Sequence, residues 1–400
     1  MTQPMPSKTH SSKTMIRNAL QELYFLSDAY VVGGAVRDSL IGRDSDDIDI
    51  ATRDRPETVK AKAEFRGWNT VDTGIDHGTV TLLKGDSEYE VTTFRRDVST
   101  DGRNATVEFA GSVEEDLKRR DFTINAMAAG LDSSGNEFMK DPFGGIEDLI
   151  NGRIRAVGDP KTRFREDLLR IVRAFRFAAR YGFEIGEPER SAIEELSSEV
   201  VGNVSPERIT SEIEKAMKSP NPEEFIAKLV GSGILADYVQ PLTGEIRNPE
   251  RFVDIRDIER AEDRMAIFLW ELKNASLVDW ADLQERLRLP TDQIERARKI
   301  GQLLFLLEDP ISETNRRKIL AARRGLISDA QRIARQTGRV PPSRFEKPKE
   351  VPLEPVATGQ DFLDAGFEEG PQIGDLIEKA HAIQLEEGIT DVELLIKKAQ

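Results

Sequence analysis

The sequence predicts an α/β domain followed by an all-helical region, because the periodicity of its apolar residues changes once along the chain. Up to about Ile154, short runs of strand-like composition alternate with helical segments, which is typical of an α/β domain. These runs are Thr79–Lys84, Tyr89–Phe94 and Thr106–Phe109. Beyond that point nearly every segment has helical period. The clearest examples are Ala192–Val200, Pro206–Met217, Pro222–Val230, Asp279–Leu287 and Thr291–Leu307.

The composition of the 400 residues limits the function classes open to this chain. No cysteine is present and the three histidines lie far apart in sequence, so any catalytic metal should be held by oxygen. No apolar run is as long as a membrane span, and residues 1–14 lack the apolar segment of a secretory signal. We therefore expect a cytoplasmic protein that contacts no membrane, with a floppy start to an N-terminal segment, residues 1–29.

Two glycines follow the first predicted strand. Tyr30–Val32 should be the end of a buried strand, and Gly33 and Gly34 permit a tight turn whose backbone N–H groups approach an anion. A helix should follow, with Arg37 in its first turn. This arrangement can hold a phosphate.

Acidic and apolar residues then alternate in Asp47, Ile48, Asp49 and Ile50. In a strand, this period of two sends both carboxylates to one face and both isoleucines to the other. Two carboxylates on one face suit Mg²⁺, which completes its coordination with triphosphate oxygens and water. An acidic strand end that faces water is the alternative. The nearby glycine pair and Arg37 favour nucleotide chemistry.

Residues 163–180 predict one amphipathic helix with a charged face that could read a base. Cytosine and adenine both present an amino donor beside a ring-nitrogen acceptor, whereas uracil and guanine present the reverse. Asp167 and Arg170, at positions i and i+3, supply the matching acceptor and donor. A solvated helix face would explain the charge, but not this choice of charged residues.

A second arginine-containing segment, Glu115–Ala128, follows a polar stretch, residues 96–111, that we expect to be a mobile loop. Arg119 and Arg120 could present cations to phosphates at one edge of a cleft. An ordinary charged helix start is the alternative.

The net charge of −15 argues against a general polyanion binder, but the charge is uneven. Residues 316–349 are rich in Arg and Lys, with only Asp329 and Glu346 against them. Solvated helix faces with a basic linker would explain this patch, and so would contact with a nucleic-acid backbone. The candidate RNA contacts in the patch are Arg323, Arg324, Arg332 and Arg335.

Four motifs occur together in this order: GGAVRDSLIGRDSDDIDIAT, RRDFTINAMA, DPFGGIEDLINGRIRAVGDP and RFREDLLRIVRAFRFAARYGF. They resemble motifs of the bacterial-type, class II tRNA nucleotidyltransferases, which are the CCA-adding enzymes, and of the related bacterial poly(A) polymerases. The resemblance is close from residue 30 to about residue 220 and looser beyond. It implies a head of the DNA polymerase beta superfamily (30–154), a helical neck (155–220), a helical body (221–335), and a linker with a helical tail (336–400).

The resemblance also assigns roles to single residues. It makes Asp47 and Asp49 the Mg²⁺ ligands. Glu90 becomes a candidate third carboxylate near the attacking 3′-hydroxyl, although an exposed strand glutamate is the commoner case. Residues 97–103 match the family's flexible loop, which is thought to help the site switch from C to A. The implied nucleotide contacts are Gly34 and Arg37 on the triphosphate, with Arg120, Asp167, Arg170, Arg173 and Arg176 as further contacts.

The sequence therefore predicts an RNA 3′-terminal nucleotidyltransferase that adds CMP, CMP and AMP to tRNA, from CTP and ATP, without a nucleic-acid template. Mg²⁺ is the expected cofactor, and no obligate protein partner is inferred. A poly(A) polymerase, or a partial enzyme that adds only CC or only A, shares these motifs and stays open. The lead-in Phe25–Tyr30 lacks the basic cluster associated with the poly(A) branch, which favours tRNA.

Two rivals come from other classes of protein. A catalytically inactive RNA-binding protein on this scaffold is disfavoured, because Asp47 and Asp49 are both present and clustered carboxylates are costly. A small-molecule nucleotidyltransferase would share the head but would not need the long helical body. The chain also lacks the His-Asp domain that some family members append, so no second phosphatase or phosphodiesterase activity is expected.

Overall fold

The computed structural model describes residues 9–45, 47–75, 78–85, 87–100, 105–239, 255–276, 278–308, 311–338, 340–346 and 350–400. The described residues form two compact units. The first comprises the chain up to Glu212 together with Ser219–Asp237. The second comprises Ile213–Lys218 together with the chain from Tyr238 to Gln400. The finer division into head, neck, body and tail stays a prediction.

Strands occur only in the amino-terminal part of the described chain. They are β1 (Tyr30–Val32), β2 (Asp49–Thr52), β3 (Asn69–Gly74), β4 (Thr79–Lys84), β5 (Ser87–Thr93), β6 (Arg95–Thr100), β7 (Ala105–Phe109), β8 (Ala128–Leu131), β9 (Glu137–Lys140), β10 (Arg153–Ile154) and β11 (Glu184–Ile185). The helices up to Tyr238 are α1 (Thr9–Glu22), α2 (Gly34–Leu40), α3 (Pro56–Glu64), α4 (Val113–Lys118), α5 (Gly145–Ile150), α6 (Pro160–Glu166), α7 (Leu169–Tyr181), α8 (Glu187–Leu196), α9 (Pro206–Met217), α10 (Pro222–Gly231) and α11 (Ile234–Tyr238).

One mixed sheet organises the first unit, in the strand order β3-β4-β5-β2-β1-β8-β9. β2 and β5 are parallel, and the other neighbouring pairs are antiparallel. Successive residues of the central strands face two different cores: Val31 and Ile50 pack on one face, and Val32 and Ala51 pack with Leu117 on the other. Since both faces of the sheet are covered, these strands contain consecutive apolar residues.

The first helix belongs to the core of the first unit. Ile16, Ala19 and Leu20, which share one face of α1, are buried against the sheet. The floppy start that we expected for the N-terminal segment, residues 1–29, is therefore wrong from Thr9 onward, because α1 begins there. Burial of this apolar stripe stabilises a helix whose amino-terminal turn carries no apolar residue.

Two sequence predictions in the first unit need correction. The helix predicted over residues 163–180 is interrupted: α6 ends at Glu166 and α7 begins at Leu169, with Asp167 in an extended conformation (φ −157°, ψ 103°). The expected mobile loop, residues 96–111, is largely an antiparallel ribbon of β6 and β7. The last three residues of the predicted flexible loop (97–103), residues 101–103, lie outside the described residues.

The regular secondary structure of the second unit is helical in the part of the chain that is described. Beyond Tyr238 its helices are α12 (Ala261–Ala275), α13 (Trp280–Leu287), α14 (Thr291–Glu308), α15 (Glu313–Ala322), α16 (Ile327–Thr337), α17 (Gly359–Asp364), α18 (Gln372–Glu387) and α19 (Val392–Ala399). α12 packs closely on α14. A Cβ atom on Gly301 of α14 would come within 2.0 Å of the ring of Trp270 in α12. Between α16 and α17 the chain is irregular in its described parts, yet Phe345 and Leu353 are buried. No described helix is both long and apolar enough to cross a membrane.

Candidate active site

The predicted glycine turn lies between β1 and α2, as expected. Gly33 has φ +71°, a conformation that side-chain-bearing residues rarely adopt. A Cβ atom at this position would also come within 2.5 Å of Nη1 of Arg120 and 3.8 Å of Oδ2 of Asp49. The backbone conformation therefore favours glycine here, and a larger residue would also displace the guanidinium group of Arg120.

The predicted carboxylates lie beside this turn. Asp49 begins β2, pairs with Val32 of β1, and on its other side pairs with Glu90 of parallel β5. Asp47 precedes the strand; it and Asp49 are exposed, while Ile50 is buried. The predicted alternation of faces is thus confirmed, although the strand itself begins two residues later than the pattern suggested.

The three carboxylates share one electrostatic environment. Asp49 contacts solvent, but the partial burial of its carboxylate raises its pKa above the usual value; the guanidinium of Arg120 opposes this shift, and the neighbouring charge of Asp47 adds to it. Burial also raises the pKa of Glu90, and the nearby charge of Asp49 raises it further. Carboxylates that repel one another in this way are neutralised by a bound cation.

The donor set fits a hard divalent cation held by two carboxylates. Asp47 and Asp49 offer only oxygen atoms, and Mg²⁺ commonly takes one or two carboxylates and completes its shell with substrate phosphates. Among the described residues, no three His, Cys, Asp or Glu side chains lie close enough to form a larger metal cluster. A role for Glu90 as a third carboxylate stays a prediction.

Arg37, a predicted triphosphate contact, is buried. Its Nε and Nη2 donate to the carboxylate of Asp38 at 2.9 and 3.0 Å, and Nη1 donates to the side-chain oxygen of Asn125. Its guanidinium lies 4.8 Å from the ring centre of Tyr181, whose hydroxyl donates to Asp38 at 2.8 Å. These contacts fix the Arg37 side chain beside the glycine turn. Its contact with a triphosphate stays a prediction.

Asp167 lies in the break between α6 and α7, whereas Arg170, its predicted base-reading partner, lies in the first turn of α7, and the two have different partners. Oδ1 of Asp167 accepts from the backbone N–H of Leu169, and Oδ2 accepts from Arg208 of α9 at 2.7 Å. Arg170 instead donates to Glu166 at 2.6 Å and to the carbonyl of Arg119 at 3.0 Å. The expectation that the two residues lie side by side on one continuous helix is therefore wrong.

The other two predicted nucleotide contacts on α7 also make internal ion pairs. Arg173 donates to Asp121 at 2.7 Å, and Arg176 donates to Glu212 at 2.5 Å. Burial alone would raise the pKa of Asp121, but the guanidinium of Arg173 and a hydrogen bond from Asn125 hold that pKa far below its usual value. Arg176 is almost fully buried.

Several residues that organise this site were not predicted from the sequence. Arg208, Asp121 and Glu212 each pair with a predicted nucleotide contact. Arg208 and Glu212 belong to SPERITSEIEKAM, whose helical period is clear but whose partners lie 36 and 41 residues away. A charged side chain on an amphipathic helix gives no local signal of such a distant partner.

The basic patch of the second unit divides into two parts. Arg332 is bound at 2.6 Å to Asp263, a completely buried carboxylate, and at 2.7 Å to Asp329. Arg323 and Arg324 instead line an open groove of about 1110 Å³. Other cationic residues line the same groove: Arg298, Lys299 and Lys318. Arg335 is exposed. Arg332 is thus a structural ion-pair residue, which the charge pattern did not reveal.

Comparison with known proteins identifies the family. A family profile described as the poly A polymerase head domain matches residues 29–155, and one described as a probable RNA and SrmB-binding site of polymerase A matches residues 182–243. The CCA-adding enzyme of Streptococcus pneumoniae serotype 19F (strain G54) is 34% identical over 405 residues, which cover 98% of this chain and 95% of the relative. This chain belongs to the family of CCA-adding enzymes. The predicted family and the enzyme class, a tRNA nucleotidyltransferase, are therefore confirmed.

Solved CCA-adding enzymes share the fold. The Bacillus stearothermophilus enzyme, determined in complex with CTP, matches with a TM-score of 0.76 and 29% identity over 98% of both chains. The Thermotoga maritima enzyme, complexed with tRNA_CCA, matches with a TM-score of 0.67 and 22% identity over 98% of this chain and 95% of that one. The predicted fold class, an α/β head followed by helices, is confirmed. Nucleotidyltransferases of this kind generally use divalent metal ions.

Proposed function

We propose that this protein adds CCA to the 3′ end of tRNA, from CTP and ATP, with Mg²⁺ as its metal. The observation that carries this proposal is the position of Asp49 beside Glu90 and close to Arg120, at a turn where the positive φ of Gly33 favours glycine. Relatives named as CCA-adding enzymes that match nearly the whole chain support the reaction and both nucleotides. A cytoplasmic location remains a prediction.

The reaction joins the 3′-hydroxyl of the RNA to the α-phosphorus of the nucleotide and releases pyrophosphate. Asp47 and Asp49 would hold Mg²⁺, which lowers the pKa of the attacking hydroxyl and neutralises charge on the triphosphate. Arg120 would bind triphosphate oxygens from the opposite side of the turn. The protein contributes mainly position and electrostatic stabilisation, as is usual in transfer from a nucleoside triphosphate.

Base choice would rest on Asp167, whose carboxylate can accept from the amino group of cytosine or adenine. Arg208 donates to this carboxylate at 2.7 Å and supports it. Arg170 is partly buried against Glu166, so its donation to a ring nitrogen would require a change of partner. Arg173 and Arg176 would act on the nucleotide through their ion pairs with Asp121 and Glu212.

Binding of tRNA would use the basic groove of the second unit, with Arg323 and Arg324 on its wall and Arg335 as a further exposed cation. Contacts to phosphates and to the shape of A-form RNA fit an enzyme that accepts many tRNA sequences. The relative from Thermotoga maritima, complexed with tRNA_CCA, supports this partner.

One experiment tests the proposal. The full-length protein is incubated with MgCl₂ and tRNA that ends at the discriminator base, in C, or in CC, with each labelled nucleotide in turn, and the products are sequenced. We expect C, C and A to be added in order and addition then to stop. Continued addition of A would instead indicate a poly(A) polymerase, and addition limited to CC or to the final A would indicate a partial enzyme.

A further inference from the structure

A buried aspartate lies behind the arginine that faces the glycine turn. Asp116, in α4, is only 1% exposed. Its Oδ1 accepts from Nε of Arg119 at 3.0 Å and from the backbone N–H of Arg95 at 3.4 Å. Its Oδ2 faces Nη2 of Arg120 at 3.4 Å. The two oxygens thus have separate partners, and one of them serves Arg120.

Asp116 is ionised, because cations surround it. Burial by itself would raise the pKa of this carboxyl, but the guanidinium groups of Arg119 and Arg120 outweigh burial and hold the pKa below its usual value. The charge of Arg95 acts in the same direction. The charges of Arg120 and Arg95 also act on Asp49 and Glu90, respectively, so these two arginines connect Asp116 with the carboxylate site.

Arg120 itself is held loosely. Its other hydrogen bond, from Nη1 to the carbonyl of Asn125, is also long, at 3.4 Å. Its Nε is buried and has no hydrogen-bond partner among the described residues. A buried N–H without an acceptor is a position where a ligand oxygen can bind. The guanidinium lies within 2.5 Å of where a Gly33 Cβ would be, close to Asp49.

We propose that Asp116 is a positioning residue that holds Arg120 between the glycine turn and Asp49, ready to bind the pyrophosphate part of the nucleotide. This inference rests on the proposed function and adds a residue that neither the motif analysis nor the comparisons single out. Asp116 does not touch the substrate. It acts through Arg120, whereas Arg119 fixes the orientation of the carboxylate.

The test uses the full-length Asp116→Asn variant. The amide keeps the size of the side chain, but it has one acceptor oxygen, which Arg119 and the backbone of Arg95 occupy, and its NH₂ cannot accept from Arg120. We expect the KM for CTP and the dissociation constant for inorganic pyrophosphate with MgCl₂ to rise about tenfold, with a smaller change in kcat. Glu114→Gln is the matched control on the same helix, since Glu114 pairs with Lys140 at the surface and should change neither constant.

A double-variant cycle separates positioning from a purely structural role. Arg120→Ala should weaken pyrophosphate binding, and adding Asp116→Asn to it should cause less than about a twofold further loss. Multiplicative effects of the two substitutions, or unchanged pyrophosphate binding in a folded Asp116→Asn variant, would overturn the inference. If that variant does not fold, Asp116→Glu, which keeps the charge but moves the oxygens, should still weaken pyrophosphate binding, and an unchanged constant would overturn the inference.

The two proposals fail separately. Pyrophosphate binding is measured by calorimetry without tRNA or nucleotide, so it judges Asp116 even if the wild-type protein adds nothing to tRNA. Conversely, CCA addition by the wild-type protein stands whatever the Asp116 variants do.

Discussion

Arg208 donates a hydrogen bond to the carboxylate of Asp167 at 2.7 Å, across 41 residues of sequence. The other oxygen of Asp167 caps the start of α7 by accepting from the N–H of Leu169. The carboxylate proposed to read the base is therefore fixed by a side chain of α9 and by the backbone at the start of α7. Arg170, its expected partner, is held by Glu166.

Base selection should fail when this carboxylate is removed. Asp167→Ala should let UTP and GTP in, because the unpaired acceptor that penalises these bases, by about 1–3 kcal/mol, is gone. The ratio of kcat/KM for CTP over UTP measures this, and we expect a fall of roughly tenfold or more. A variant that loses activity with CTP and ATP but excludes UTP as strictly as the wild type would show that Asp167 only orients its neighbours.

Removing either proposed metal ligand, Asp47 or Asp49, should abolish transfer without unfolding the protein. Asp47 and Asp49 are exposed, so their replacement by Ala leaves the core intact, while the metal loses half of its protein ligands. We expect a loss of about 10³-fold or more in kcat, with thermal unfolding and tRNA affinity nearly unchanged. Rates within tenfold of wild type would remove both residues from the site.

The role of Glu90 can be tested against a neighbour on the same strand. Glu88 and Glu90 both lie on β5, two residues apart, so their side chains share one face, and both are exposed. Glu90 pairs with Asp49, whereas Glu88 lies further along the strand from the proposed metal ligands, Asp47 and Asp49. Glu90→Gln should lower kcat at saturating tRNA and CTP, and Glu88→Gln should not. Equal, small effects in both variants would mean that Glu90 is an ordinary strand glutamate.

Arginines of the basic patch should separate into RNA-binding and structural residues. Replacing Arg323 and Arg324 with Ala should weaken tRNA binding and lower its salt dependence by about one unit of slope per lost phosphate contact, without altering nucleotide choice. Arg332→Ala should instead lower the free energy of unfolding by about 2–3 kcal/mol, because Asp263 would keep only Arg296 among its described ion-pair partners. Salt titrations of tRNA binding and denaturant unfolding measure the two effects.

The buried pair of Asp121 and Arg173 predicts a pH dependence of stability. The pKa of Asp121 is lower in the folded protein than its usual value near 4, so its contribution to stability is complete above that pH and is lost as the pH falls. Asp121→Asn should therefore destabilise the protein by about 3 kcal/mol at pH 7. The difference from wild type should shrink between about pH 4 and pH 2. A difference that is constant with pH would contradict this account.

Much of the fold follows from local sequence. The boundaries of β1, β4 and α9 match the predicted runs, because period-two and helical apolar patterns decide which face of a segment is buried. Gly33 and the alternation of Asp49 with Ile50 were also readable, since a turn with positive φ and a half-exposed strand each leave a pattern within a few residues.

The tertiary structure alone decided which charges meet. The sequence shows arginines along residues 163–180 and in the basic patch, but not whether each guanidinium faces a ligand or a buried carboxylate. That depends on the residue packed opposite, which is Glu212 for Arg176 and Asp263 for Arg332. The break at Asp167 has the same origin, since its carboxylate is held by Arg208 from another helix. Periodicity reports burial within one element, whereas ion pairs between distant elements form only once the chain is folded, and for that reason no local pattern predicts them.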